Sequence, residues 1–226
     1  MTVYTIVCGA VSFALALVFR SGDPSHRVAS IWARLILETC GVTVQVKGLE
    51  NLRPGTTYLF ASNHQSLFDT PIVFAHLPVS FRILYKKSLN RVPFLGWHLF
   101  MSGHIGVERE NPKKARESLE HAASRIRGGT SVVVFPEGTR SFDGILRPFK
   151  KGSFRLALRA GIPVVPITIA DSYLVMKRSE VTVHPRRIGL TIDRPIPLDN
   201  LDEEQAEVLA ERVRAVVSRN LEATRA

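Results

Sequence analysis

Val132-Val133-Val134-Phe135, entered from Ser131, is an unbroken apolar run that stops at Pro136-Glu137-Gly138-Thr139-Arg140-Ser141. A strand without polar alternation has water on neither face, so the sheet that holds it needs helices on both sides. Shorter runs repeat the theme. Thr43–Lys47 alternates as a strand does, and Tyr58–Ala61, Ser80–Tyr85, Gly103–Arg109 and Val164–Ile169 read as further strands, with one or two more within Val181–Ile192. Helical spacing lies between them. Asn111-Pro112 opens a helix with Ala115, Leu119, Ala122 and Ile126 on one face, and Gly128-Gly129 stops it. Gly152–Arg159 and Leu201–Leu221 are helical too, the latter acidic early and richer in Arg later, as the helix dipole favours. The alternation predicts an α/β fold over residues 42–226: a mixed, largely parallel sheet flanked by helices.

Residues 1–41 form a different segment. Met1 to Phe19 carries no charged side chain. At ~1.5 Å per residue it reaches about 28 Å, close to the hydrocarbon thickness of a bilayer. A cleaved signal peptide requires a basic start and a small-x-small site, and a buried core helix sits poorly with scattered Thr2, Thr5, Gly9 and Ser12. Membrane association is the favoured reading. Gly22-Asp23-Pro24-Ser25 then turns the chain into a second helix, where Val28, Ile31, Trp32 and Leu35 recur on one face and Arg27, Arg34 and Glu38 on another. The expectation is an N-terminal membrane-associated helical pair. It either dips into one leaflet or makes a single span, and Arg20 and Arg27 place the rest of the chain on the cytoplasmic face of the cell membrane.

Thirty Lys and Arg against twenty Asp and Glu leave a net charge of +10. The surplus favours an anionic partner: nucleic acid, an acidic membrane surface or a phosphorylated substrate. Two cysteines exclude a disulfide scaffold and a Cys-rich zinc module.

The polar motifs fall at strand ends, where α/β sheets bind ligands. Ser62-Asn63-His64-Gln65-Ser66-Leu67-Phe68-Asp69 follows one strand. If a turn and a helix start separate His64 from Asp69, the carboxylate holds one imidazole nitrogen and frees the other as a general base. The alternative is a turn histidine beside a helix-capping aspartate. No second His or Cys stands at ligand spacing, so no metal site is predicted. In the Glu-Gly-Thr-Arg loop, Gly138 permits a tight turn and Arg140 offers a planar fork for phosphate, or simply an ion pair. Arg109 and Lys87 follow two other strands. His26, His121 and His184 read as exposed, His76 and His98 as packed. There is no Gly-x-Ser-x-Gly elbow, so a serine acyl-enzyme has no support.

Asn-His-x4-Asp, Gly-x-Ile-x-Val-x-Arg, Phe-Pro-Glu-Gly-Thr-Arg-Ser and Val-Pro-Ile, in this order over about Val42 to Ile192, resemble the 1-acylglycerol-3-phosphate acyltransferase family. The resemblance implies that His64 deprotonates the glycerol hydroxyl with Asp69 in support. It also implies that Arg109, Glu137, Gly138, Thr139 and Arg140, with Lys87, serve the glycerol phosphate. The implied substrates are lysophosphatidic acid and a thioester donor, acyl-CoA or acyl carrier protein, with no cofactor. Other lysophospholipids or glycerol 3-phosphate remain open as acceptors. A non-catalytic basic protein is the rival of another class, though no nucleic-acid module is recognisable.

Overall fold

The computed structural model describes residues 2–19, 22–92, 95–108, 112–141, 143–176, 182–198 and 201–225. Two helices come first, α1 (Thr2–Val18) and α2 (Asp23–Thr39). The strands are β1 (Val42–Lys47), β2 (Leu59–Ser62), β3 (Phe81–Lys86), β4 (Ile105–Val107), β5 (Ser131–Val134), β6 (Val164–Ala170) and β7 (Arg186–Ile192). The intervening helices are α3 (Asp69–His76), α4 (Leu95–Met101), α5 (Pro112–Arg127) and α6 (Lys151–Ala160), and α7 (Ala206–Arg225) closes the chain.

The strands form one sheet in the order β1-β7-β6-β2-β5-β3-β4. Strands β6, β2, β5, β3 and β4 run parallel, β7 is antiparallel to β6, and β1 is parallel to β7. The predicted mixed, largely parallel sheet is therefore present. Its two faces explain the unbroken apolar runs. On β2 and β5, Leu59, Ala61, Val132 and Val134 join a core with Ile126, Phe154, Leu209 and Val213 from α5, α6 and α7. Their alternate neighbours Phe60 and Val133 join a second core with Ile36 and Leu37 of α2 and with Ile72 and Val73 of α3. Alternate residues feed opposite layers, and neither layer meets water.

The sequence reading differs from the structure in several places. The 181–192 region holds one strand among its described residues, beginning after Pro185. The run from Gly103 forms only the short strand Ile105–Val107, and Arg109 lies outside the described residues, as do Arg20, Asn111 and Val181. Helix α4 went unread because Pro93 and Gly96 disguise its start. Helix α2 buries Ala33, Ile36 and Leu37, and Cys40 just after it, in the same core as the sheet residues Phe60 and Val133. Its Val28, Ile31, Trp32 and Leu35 face is half-buried at most, with Ile31 exposed. The core thus continues across the boundary at residue 41. His26 is buried rather than exposed, its ring wedged edge-on against Phe81 (4.7 Å) and beside Phe74 (5.3 Å).

α1 and α2 form an antiparallel hairpin. Ser25 Oγ donates to Ser12 O (3.1 Å), and Trp32 Nε1 donates to Thr5 Oγ1 (3.1 Å), so early residues of one helix meet late residues of the other. The elbow docks at the amino-terminal end of β3. There Arg82, 4% exposed, donates to Asp23 Oδ1 (2.8 Å) and Ser80 Oγ (3.0 Å). Gly22 has φ 72°, and a side chain there would run into Ser102 O. α2 then climbs to the start of β1, which lies at the carboxyl edge of β2 because β1 runs against it.

Candidate active site

β2 ends at Ser62, and Asn63 extends its ladder with a side chain. Asn63 Nδ2 donates to Ile169 O and Ile169 N donates to Asn63 Oδ1, both at 2.8 Å. The amide stands in for a peptide group, so the backbone leaves the sheet while β6 stays paired. His64 is the next residue. Asp69 opens α3 and is fully buried. Its Oδ2 accepts from Gln65 N (2.6 Å) and Ser66 N (2.8 Å) and faces His64 Nδ1 at 2.8 Å. Turn and helix start separate the two residues as the spacing requires. Both sequence readings of Asp69 therefore hold together: the carboxylate organises the turn and orients the imidazole.

With a carboxylate at Nδ1, the neutral ring carries its proton there and leaves the Nε2 lone pair as a base. The ring stacks on Phe135 at 4.1 Å, and its side chain keeps 19% of its surface exposed. Phe135 directly follows β5, which lies beside β2. The adjoining loop grips the His64 backbone. Glu137 Oε1 accepts from His64 N (2.7 Å), Ser141 N donates to His64 O (2.9 Å), and Gln65 Nε2 donates to Gly144 O (3.2 Å).

Glu137, which the resemblance places among the phosphate residues, is held by backbone N–H groups. It is 3% exposed, and its second oxygen accepts from Arg147 N (3.0 Å). Burial holds its carboxyl above the ordinary range, against the pull of those two N–H groups. Both oxygens are thus committed to backbone N–H groups, one of them that of His64. Gly138 and Thr139 are exposed and Arg140 half-buried on the same loop, with Gly138 at φ 76°. Lys87 is exposed just beyond the carboxyl end of β3, the neighbour of β5. The parallel strands thus bring Lys87, Arg140 and His64 to one edge. The motifs contain Asn63, Phe135 and Glu137, yet nothing local shows that one is a ladder rung, one a stacking floor and one a brace. Among the described residues no three His, Cys, Asp or Glu side chains are grouped to hold a metal ion.

A model of the acyltransferase family matches residues 43–170, which span β1 through β6 and so enclose both catalytic-edge motifs. The chain belongs to this acyltransferase family. Among its relatives is the chloroplastic 1-acyl-sn-glycerol-3-phosphate acyltransferase BAT2 of Brassica napus, 31% identical over 94% of this chain and 66% of the relative. The 1-acyl-sn-glycerol-3-phosphate acyltransferase of Saccharomyces cerevisiae is 33% identical over 77% of this chain and 58% of its own length. The chain therefore spans somewhat less than two thirds of these curated relatives. The crystal structure of PlsC from Thermotoga maritima, a 1-acyl-sn-glycerophosphate acyltransferase, superposes with a TM-score of 0.82 at 26% identity, covering 100% of this chain and 91% of that one. The chain thus shares the PlsC fold over its whole length, N-terminal helices included.

Proposed function

We propose that the protein transfers a fatty acyl group from a thioester donor to the 2-hydroxyl of 1-acyl-sn-glycerol 3-phosphate, giving phosphatidic acid for phospholipid synthesis. The observation that carries the reading is the His64–Asp69 pair, held at 2.8 Å against the Glu-Gly-Thr-Arg loop. Nε2 takes the hydroxyl proton as the oxygen attacks the thioester carbonyl. Asp69 stabilises the imidazolium, the tetrahedral oxyanion collapses, and the thiolate leaves with the proton returned by His64. Apart from the proton that His64 takes and returns, every bond made or broken belongs to the two substrates, and the step needs no cofactor. The donor is acyl-CoA or acyl carrier protein. Arg140 and Lys87 supply the charge for the acceptor phosphate.

The protein works at a membrane surface. The outward face of α1 exposes Val3, Ile6, Val7, Val11, Phe13, Leu17 and Val18, a helical stripe continued by Phe19 and by Ile31 of α2. Apolar surface of this extent fits a bilayer interface. Among the described residues no helix is long and apolar enough to cross a membrane. The reading is therefore a hairpin lying in one leaflet on the cytoplasmic face of the cell membrane, with the +10 charge attracting anionic lipid.

Purified protein offered 1-acylglycerol 3-phosphate, other lysophospholipids and glycerol 3-phosphate, each with both donor types, tests the reading. Preferred acylation of 1-acylglycerol 3-phosphate supports it. No acylation of any acceptor, or preference for another, overturns it.

A further inference from the structure

Lys150 was not among the expected site residues, yet the fold delivers it to the catalytic loop. Its backbone N donates to Pro136 O at 2.9 Å, which fixes it beside the start of that loop, and it is the residue before α6. Its side chain then lies along Gly138: a Cβ built on that glycine would stand 2.9 Å from Lys150 Nζ and 3.3 Å from its Cε. Gly138 supports the loop through its φ of 76°, and its missing side chain lets the lysine stem lie close along it. Carboxylates close by are occupied. Glu137 is spent on two backbone N–H groups, and Asp143 pairs with Arg147. Among the described residues Lys150 Nζ makes no ion pair. An exposed ammonium on a four-carbon stem usually spreads into water. This one is laid over the loop that carries Arg140 and whose Glu137 holds the His64 backbone.

We propose that Lys150 is a substrate-binding residue that closes, with Arg140, on a phosphate group above Gly138 and Thr139. The proposal rests on the acyltransferase reading and deepens it. Arg140 supplies a directional fork and Lys150 a mobile point charge, a division of labour suited to a phosphate dianion. The phosphate comes either from the acceptor's phosphomonoester or from the coenzyme A part of the donor, and the two sources separate in experiment.

Lys150→Met keeps the stem and removes the charge, and Lys150→Arg restores charge. The readout is the ratio of kcat/KM for 1-acylglycerol 3-phosphate over that for 1-acylglycerol, with saturating acyl-CoA. A charged hydrogen bond corresponds to roughly tenfold or more in affinity. The ratio should fall ~10-fold in Lys150→Met through KM, with kcat much less affected, and recover in large part in Lys150→Arg. If instead the ratio of acyl-CoA over acyl-pantetheine falls, the phosphate is the donor's. A fall in both acceptors and both donors alike, or in none, overturns the assignment. Wild-type protein that acylates nothing would sink the acyltransferase reading alone, because glycerol 3-phosphate should still raise the melting temperature of wild type and not of Lys150→Met. Equal melting shifts in the two proteins would refute the Lys150 site.

Discussion

Replacing Asp69 by Asn tests whether the carboxylate charge, rather than its shape, drives the reaction. Asp69 Oδ2 receives Gln65 N, Ser66 N and the His64 ring. Asn keeps an oxygen for the two backbone donors, but a neutral acceptor gives up about 1 kcal/mol per bond relative to a charged one, so the fold should lose roughly 2 kcal/mol and survive. The catalytic loss is larger. In the proposed mechanism His64 becomes an imidazolium in the transition state, and at about 4 Å between charge centres and an effective dielectric of about 20 the lost attraction is about 4 kcal/mol. That corresponds to ~10³-fold in kcat, within the range of general-base assistance. The assay is kcat at saturating donor and acceptor, with circular dichroism and urea unfolding confirming the fold. His64→Ala should fall about as far, and the double variant little further, because the two residues act as one unit. A folded Asp69→Asn protein keeping more than about a tenth of wild-type kcat, or a double variant whose losses multiply, refutes the mechanism.

Other outcomes follow from the same geometry. Burial, helped by the nearby Arg82 charge, pushes His26 from 6.5 down to about 4 and His104 down to about 3. Both stay neutral in the fold while the unfolded chain takes up protons, so their contribution is whole above about pH 6.5 and is lost as pH falls toward 4. For His26 alone the loss is about 3 kcal/mol, and His26→Leu should flatten the acid limb of a urea-midpoint titration; an unchanged limb contradicts the assignment. Asp23→Ala leaves the buried Arg82 guanidinium short of its carboxylate and should cost about 2 kcal/mol in urea unfolding, whereas a cost near zero would show that the elbow is not clamped. Ile6→Asp with Leu17→Asp places charge on the exposed stripe of α1; binding to anionic vesicles should weaken at least ~10-fold while activity on detergent-dispersed acceptor stays within about twofold. Unaltered vesicle binding would place the membrane contact elsewhere.

The parts of the fold legible in the sequence are those written locally. Ser131–Val134 and Val164–Ala170 are buried at every position, so their apolar runs announced two-sided strands. His64 and Asp69 were legible because a five-residue separation suits a turn entering a helix. His26 was misread because the rings that bury it, Phe74 and Phe81, come from a distant helix and strand. The partners of Glu137 were not legible for a similar reason. Its motif neighbours suggested phosphate, but its partners are backbone N–H groups of His64 and Arg147, brought to it only by the closure of β2 on β5. Lys150 carried no signal beyond a charge before a helix. Its placement follows from one backbone bond to Pro136 and shows as a close approach to Gly138.

The topology also ties the proposed membrane face to the base. β1 and β7 run against the other strands, so α2 must climb from the amino-terminal end of β3 to the catalytic edge before β1 can begin. α1 runs back alongside it, with Thr5 beside Trp32, so the Thr2–Val7 end of the apolar stripe points toward the edge that carries His64. The connection is stiff. Ile36 and Leu37 of α2 share a core with Ile72 and Val73 of α3, Arg34 Nε donates to Ala75 O at 3.4 Å, and α3 begins at Asp69 itself. Packed cores transmit such a connection with little give. A hairpin lying in the bilayer interface would therefore fix the height of the dyad above the lipid. That geometry suits an acceptor whose acyl chain stays among the lipids while its 2-hydroxyl and phosphate rise to Nε2 and to the cations of the loop.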